Sequence, residues 1–208
     1  MVKIMSPVPS TRKTDPYNSY NRCLKNGVTI EKKSWDRIIK AVNSKNEFGG
    51  NFFYDKKTNS LKIEDSTTVR GKFDNVTIPH GKFEFHTHPS LCDGKICALG
   101  IPSPADIIIH LEDVNRETMC HFVFEKSGTW LQISSVKLRG KGKKLALQGA
   151  MNRAHDMEKI LIMHSATDPE SKLRKRWIQA ARGVGICMIF VPHTVNKLSP
   201  VLSIPVSC

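Results

Sequence analysis

The chain has 208 residues, of which 39% are hydrophobic, and this size and composition favour one globular domain with its own core. No apolar run approaches the roughly 18 residues of a membrane span, and the opening residues lack the apolar core of a signal peptide. The formal net charge of +13 makes an acidic partner or a phosphate backbone a candidate ligand.

The cysteines give a prediction about the compartment. Six cysteines without a secretory signal favour reduced thiols in an intracellular protein, so we expect a cytoplasmic location, with the nucleus as an alternative. They are Cys23, Cys92, Cys97, Cys120, Cys187 and Cys208.

Residues 1–28 are polar and contain three prolines, which predicts an N-terminal arm before a single domain at 29–208. Hydrophobic periodicity and turn signals predict, in chain order, a helix at 34–43, strands at 47–54 and 61–69, a strand that ends at Pro89, a helix at 103–113, a hairpin about Ser127-Gly128, helices at 144–163 and after Pro169, and a strand at 185–191. This order predicts an α+β fold in which helices flank a mixed β-sheet.

Two histidines close the predicted strand before Pro89. Because alternate residues of a strand share a face, His86 and His88 can converge on one metal ion. After a loop, Ser103 and Pro104 have the residue types of a helix N-cap and first helical position, which puts Asp106 in the first turn. If that helix starts over the end of the strand, Asp106 is a third ligand. Three nitrogen and oxygen ligands with one position left for water are the arrangement of a catalytic zinc ion.

The same residues resemble a known family. His86-Thr87-His88-Pro89, followed by Pro102-Ser103-Pro104-Ala105-Asp106, is similar to the His-x-His-Pro and Ser-x-x-Asp core of the JAMM (MPN+) metalloproteases. Glu47-Phe48-Gly49-Gly50 is similar to the Glu-x-x-Gly segment of that family. The loop between His88 and Ser103 is longer than in the familiar motif, so residues 90–101 would contain an insertion.

The resemblance implies a function and a role for each residue. The protein would be an isopeptidase, or deubiquitinase, that cleaves ubiquitin or ubiquitin-like conjugates, with one Zn²⁺ held by His86, His88 and Asp106. Glu47 would be the general base, and the Ser103 hydroxyl would stabilise the oxyanion. The implied fold is the single MPN/JAB-like domain.

Other residues near the motif leave alternatives open. Glu84 lies on the same strand face as the two histidines, so it is a rival for the acid-base role or a partner of a ligand. His110, four residues after Asp106, can face the site from the helix. Cys187 and His193 have the spacing of a second metal site, although structural thiols are the simpler interpretation for them.

Two other functions compete with the isopeptidase. His86-Thr87-His88, followed by Ser90 and Asp93-Gly94, also resembles the first motif of PHP-type phosphoesterases, which use several metal ions on phosphate or nucleic-acid substrates. A non-catalytic scaffold with the MPN fold is the third hypothesis. The basic region 137–182 could bind an acidic partner, or nucleic acid without sequence specificity, since it lacks interleaved aromatic residues for base stacking.

Overall fold

A computed structural model of the chain describes residues 26–72, 75–89, 101–113, 120–134, 149, 152, 156, 170–183, 186–193 and 200–202. Three helices have described bounds: α1 (Lys32–Val42), α2 (Pro104–Asp113) and α3 (Glu170–Gly183). The strands are β1 (Thr29–Ile30), β2 (Phe48–Asp55), β3 (Ser60–Ile63), β4 (Val69–Arg70), β5 (Phe83–Thr87), β6 (Cys120–Phe124), β7 (Gly128–Ser134) and β8 (Ile186–Pro192).

The strands form one mixed sheet in the order β1-β3-β2-β5-β6-β7-β8, and β4 pairs with the start of β2. Two pairs of neighbouring strands are parallel, β1 with β3 and β5 with β6, whereas the other pairs are antiparallel. A parallel pair needs a long crossover connection, and α2 lies in the segment that joins β5 to β6. This crossover brings the start of α2 to the end of β5.

One face of the sheet packs against α1. The apolar side of this helix carries Trp35, Ile38 and Val42, all at most 2% exposed. They share a core with phenylalanines from the central strands, namely Phe52, Phe83, Phe85, Phe122 and Phe124. The rings of Phe52 and Phe85 stack with centroids 4.5 Å apart. Aromatic burial of this kind fixes which face of β5 is apolar, and the opposite face is left for polar residues.

The second face of the sheet packs against α2 and α3. Ile107 of α2 and Leu173 and Trp177 of α3 are buried there against Val123 and Trp130. Among the described residues, helices thus pack on both faces of a mixed sheet. This confirms the predicted mixed sheet flanked by helices. No helix among the described residues is long and apolar enough to cross a membrane.

The predicted strand at 61–69 is shorter in the structure. β3 ends at Ile63, and a 3₁₀ turn at Asp65–Thr67 separates it from β4. The hydroxyls of Thr67 and Thr68 donate hydrogen bonds to the carbonyls of Glu64 and Asp65. Such local side-chain bonds compete with a strand ladder, which explains the break.

Other predictions fall partly outside the described residues. Of the predicted helix at 144–163, only Gly149, Asn152 and Asp156 are described, and each is helical. Residues 1–25 of the predicted arm, residues 90–100 of the predicted insertion, and residues 137–148, 150–151, 153–155 and 157–169 of the basic region lie outside the described part of the chain.

The reduced-thiol prediction is wrong for one cysteine. Cys120 is a buried free thiol, but Cys187 is disulfide-bonded. The prediction failed because it was drawn from the absence of a secretory signal, which says nothing about how near two cysteines lie in the fold. The other four cysteines lie outside the described residues.

His193 gives the fold a measurable dependence on pH. Its Nε2 lies 2.9 Å from the Thr129 hydroxyl and its ring packs edge-on against Trp35. Burial lowers the pKa of His193 from 6.5 to about 4. The folded state therefore prefers the neutral ring, so its contribution to stability is complete above pH 6.5 and is lost as the pH falls towards 4.

We expect His193→Gln, which can still bond to Thr129, to lose less thermal stability than the wild type between pH 7 and pH 4.5. Melting temperatures of both proteins across that interval measure the difference. Equal losses would contradict the assignment of this pH dependence to His193.

Candidate metal centre

The site lies on the face of the sheet that α2 covers. In the register of β5 and β6, Glu84 pairs with His121 and His86 pairs with Val123, and paired residues of neighbouring strands share a face. In β2, Gly49 pairs with His86. Every second residue of these strands thus points to the side opposite the phenylalanine core. The side-chain alternation of β5 puts both predicted histidine ligands on this side.

Three side chains meet where β5 ends. Nε2 of His86 lies 3.0 Å from Nε2 of His88 and 3.2 Å from Oδ1 of Asp106, while Nε2 of His88 lies 3.4 Å from Oδ2 of Asp106. Their ligand atoms all lie within 4.8 Å of one another, close enough to hold one metal ion. His86 is buried and the other two side chains are 12% and 15% exposed. The structure therefore brings the three predicted ligands together.

Asp106 is held in place by the start of α2. The backbone N–H of Ser103 donates to Oδ2 of Asp106 at 2.6 Å, and the N–H of Asp106 donates to the Ser103 hydroxyl oxygen at 3.2 Å. This reciprocal pair satisfies two N–H groups at the helix start, as in a capping box. The carboxylate is therefore oriented before any metal ion binds. The helix dipole also favours a negative charge at this end.

The charges of the cluster are strongly coupled. Burial lowers the pKa of His86 to about 4, which outweighs the upward effect of Asp106, so this ring is neutral. Burial alone would lower the pKa of His88, but the hydrogen bond and charge of Asp106 raise it, together with the charges of Glu47 and Glu125. Burial would raise the pKa of Asp106, whereas the two histidines hold it well below its usual value.

Glu47 lies directly before β2 and is 7% exposed. Its N–H donates to the Lys72 carbonyl and its carbonyl accepts from the N–H of Gly71. These bonds fix the backbone at the start of β2, two residues before Gly49, which pairs with His86. Because residues two apart on a strand share a face, Glu47 is on the side of the histidines, and its charge acts on His88.

A cleft of about 740 Å³ opens beside Glu47, between the end of α1 and the strands β2 and β4. Four basic residues line it: Arg37, Lys40, Lys45 and Arg70. Among the described residues, Glu47 is the one acidic side chain that lines this cleft. The cleft is large enough for a segment of peptide chain, and its charge favours acidic groups.

Two residues of the site were not predicted. His121 contacts His86, with 2.7 Å between its Nε2 and Nδ1 of His86. Glu125, which follows β6, contributes charge at His88 and is paired with Arg174 of α3 at 3.0 Å. The sequence carries a signal for both, since His121 and Glu125 alternate with buried phenylalanines. Their proximity to β5 depends on the parallel pairing with β6, which spacing alone does not show.

The remaining predicted sites can also be placed. His110 does lie towards this group, with its ring 6.1 Å from that of His121. Cys187 is disulfide-bonded and His193 contacts Thr129 and Trp35, so this pair is not a second metal site. Within the described residues the one group of three candidate metal ligands is the cluster at His86. Cys92 and Cys97 lie outside them.

No protein-family model, no curated protein and no solved structure matches the chain. A functional argument therefore depends on the residues and their geometry.

Gly49 allows β2 to approach the histidine strand closely. A Cβ atom at this position would contact the Ile78 side chain and lie 2.9 Å from the Phe85 carbonyl oxygen. We expect Gly49→Ala to lower the free energy of unfolding by about 1–3 kcal/mol, because a methyl group would force β2 away from β5. Urea denaturation measures the change. Gly183→Ala is the control, since among the described residues a Cβ there meets no atom within 4 Å. Equal stability of the two variants would contradict the requirement for glycine where β2 approaches β5.

Proposed function

We propose that the protein is a zinc-dependent isopeptidase of the JAMM type that hydrolyses ubiquitin or ubiquitin-like conjugates. The observation that carries the proposal is the meeting of His86, His88 and Asp106 at the start of α2. Glu47 on the same sheet face and Ser103 at the helix start complete the set of groups that such hydrolysis needs.

The ligand set fits zinc. Ligands bonded at 2.0–2.2 Å with tetrahedral angles are about 3.3 Å apart. The two Nε2 atoms are 3.0 Å apart, His86 Nε2 lies 3.2 Å from Oδ1 of Asp106, and His88 Nε2 lies 3.4 Å from Oδ2 of the same carboxylate. Two imidazoles and one carboxylate are also donors that zinc prefers. A zinc ion held there would polarise the scissile carbonyl and lower the pKa of a bound water.

Glu47 supplies the carboxylate that such a reaction needs for proton transfer. It is buried on the same face as the ligands, and its charge is felt by His88. In the proposed reaction it takes a proton from the attacking water and delivers it to the leaving lysine amine. Glu84 does not fit this role, because it is fully buried and contacts Gly81 and His121.

Ser103 supplies a hydrogen-bond donor. Its hydroxyl oxygen accepts from the N–H of Asp106, which leaves the hydroxyl proton to donate. Since Ser103 lies three residues before a metal ligand, this proton can bond to the oxyanion that forms at the scissile carbonyl. Removing one such donor costs about 3–4 kcal/mol in comparable enzymes.

The basic cleft shares Glu47 with the proposed site, but His86, His88, Asp106 and Ser103 do not line it. It therefore does not identify where a substrate would lie. An acidic partner or nucleic acid bound by residues 137–182, and an intracellular location, stay predictions.

We expect the wild type to bind one zinc ion per chain and Asp106→Asn to bind it more than about 100-fold more weakly, since loss of even an outer-shell partner costs 10- to 100-fold. An asparagine can still accept the Ser103 N–H, so the helix start is kept. Asp36→Asn, an exposed change on α1, is the control. Elemental analysis and competition with a chelator give stoichiometry and affinity; two or three ions per chain would favour the phosphoesterase instead.

We expect Glu47→Gln to keep zinc but to lose at least about 100-fold in kcat, because the amide cannot accept a proton. Cleavage of isopeptide-linked diubiquitin and of a ubiquitin-conjugated reporter measures the rate. Glu64→Gln, a change at an exposed residue directly before the 3₁₀ turn at Asp65–Thr67, is the control. A folded, zinc-loaded Glu47→Gln protein with full activity would exclude Glu47 as the base.

A further inference from the structure

We propose that Glu84 and His121 are positioning residues that fix the proton of His86 on Nδ1 and so present its Nε2 to the metal ion. This inference rests on the metal site of the proposed function and adds a second layer of residues to it. Both residues lie on strands, one on β5 and the other on β6, on the face that carries the ligands.

The three side chains form a continuous buried row. Nδ1 of His86 lies 2.7 Å from Nε2 of His121, and Nδ1 of His121 lies 3.6 Å from Oε2 of Glu84. The other carboxylate oxygen of Glu84 accepts the N–H of Gly81 at 2.8 Å. Glu84, His121 and His86 are 0%, 2% and 4% exposed. Water therefore screens their interactions very little, and the orientation of each proton matters energetically.

The pairing of the strands explains why this row exists. β5 and β6 are parallel neighbours in which Glu84 and His121 are directly paired. His86 is the next residue along β5 on the same face, so its ring meets the ring of His121 edge to face, with centroids 4.9 Å apart. The row thus follows from regular sheet geometry and not from a flexible loop. Groups held on rigid strands keep their orientation with the least loss of precision.

The proton positions follow from the chemistry of imidazole. A neutral imidazole has one N–H donor and one acceptor nitrogen. Nε2 of His86 faces the other two ligands, so it can bind a metal ion only if its proton is on Nδ1, where it donates to Nε2 of His121. His121 must then carry its own proton on Nδ1, which points to Glu84. If the proton of His121 were on Nε2 instead, the lone pair of its Nδ1 would face the buried Glu84 carboxylate, which is repulsive.

Glu84 thereby selects the tautomers of two successive rings. A carboxylate behind a ligating histidine fixes its orientation and raises the basicity of its metal-binding nitrogen, and loss of such a partner costs about 10- to 100-fold in metal affinity. Here the Glu84 carboxylate acts through the imidazole of His121. If these residues only filled the core, removing the charge of Glu84 would leave the zinc affinity and the histidine tautomers unchanged.

The test is zinc affinity, measured by competition with a chelator on the full chain. We expect Glu84→Gln, which keeps acceptor and size but loses the charge, and His121→Phe each to weaken zinc binding about 10- to 100-fold. His121→Gln should recover most of the affinity, because its carbonyl can accept from His86 and its amide can donate to Glu84. Gln132→Met is the matched control, because Gln132 is equally buried and pairs with His121 across β6 and β7 but is not in the row. The zinc affinity of this variant should change less than about threefold.

Nitrogen NMR of the zinc-loaded wild type tests the same inference without any variant. We expect both His86 and His121 to carry their protons on Nδ1. Wild-type affinity in Glu84→Gln and His121→Phe, or a proton on Nε2 of His121, would overturn the proposal while leaving the isopeptidase intact. Weakened zinc binding in these variants without hydrolysis by the wild type would overturn only the isopeptidase. A wild type that binds no zinc would overturn both.

Discussion

The site depends on the reciprocal hydrogen bonds between Ser103 and Asp106. They fix a carboxylate at the first turn of α2, and the crossover from β5 to β6 puts that turn over the end of β5. Without this placement the end of β5 would carry only two of the three candidate ligands. With it, three donors have separations that suit one ion.

The two faces of β5 have different roles. On one face of β5, Phe83 and Phe85 join the aromatic core under α1. On the other face, Glu84 and His86 are buried with His121, whose ring lies 2.7 Å from His86 Nδ1 and 3.6 Å from the Glu84 carboxylate. Because the aromatic core fixes the register, it also holds the polar row in place. A slip of one residue would exchange the two faces.

Local signals in the sequence made much of the metal site predictable. The spacing of His86 and His88 with Ser103 and Asp106 needs only the period of a strand and the cap of a helix, and both are local. Long-range pairing was not predictable in this way. The contact of His121 with His86 depends on β6 lying parallel to β5. The break after Ile63 came from threonine hydroxyls that bond to their own backbone.

X-ray absorption at the zinc edge of the zinc-loaded protein tests the proposed metal centre most directly. A zinc ion held by His86, His88 and Asp106 should show two imidazole nitrogens and carboxylate or water oxygen at about 2.0–2.2 Å, with no sulfur bonded to the metal. Sulfur at about 2.3 Å, which would assign the ion to cysteines, or a spectrum without imidazole ligands would contradict it.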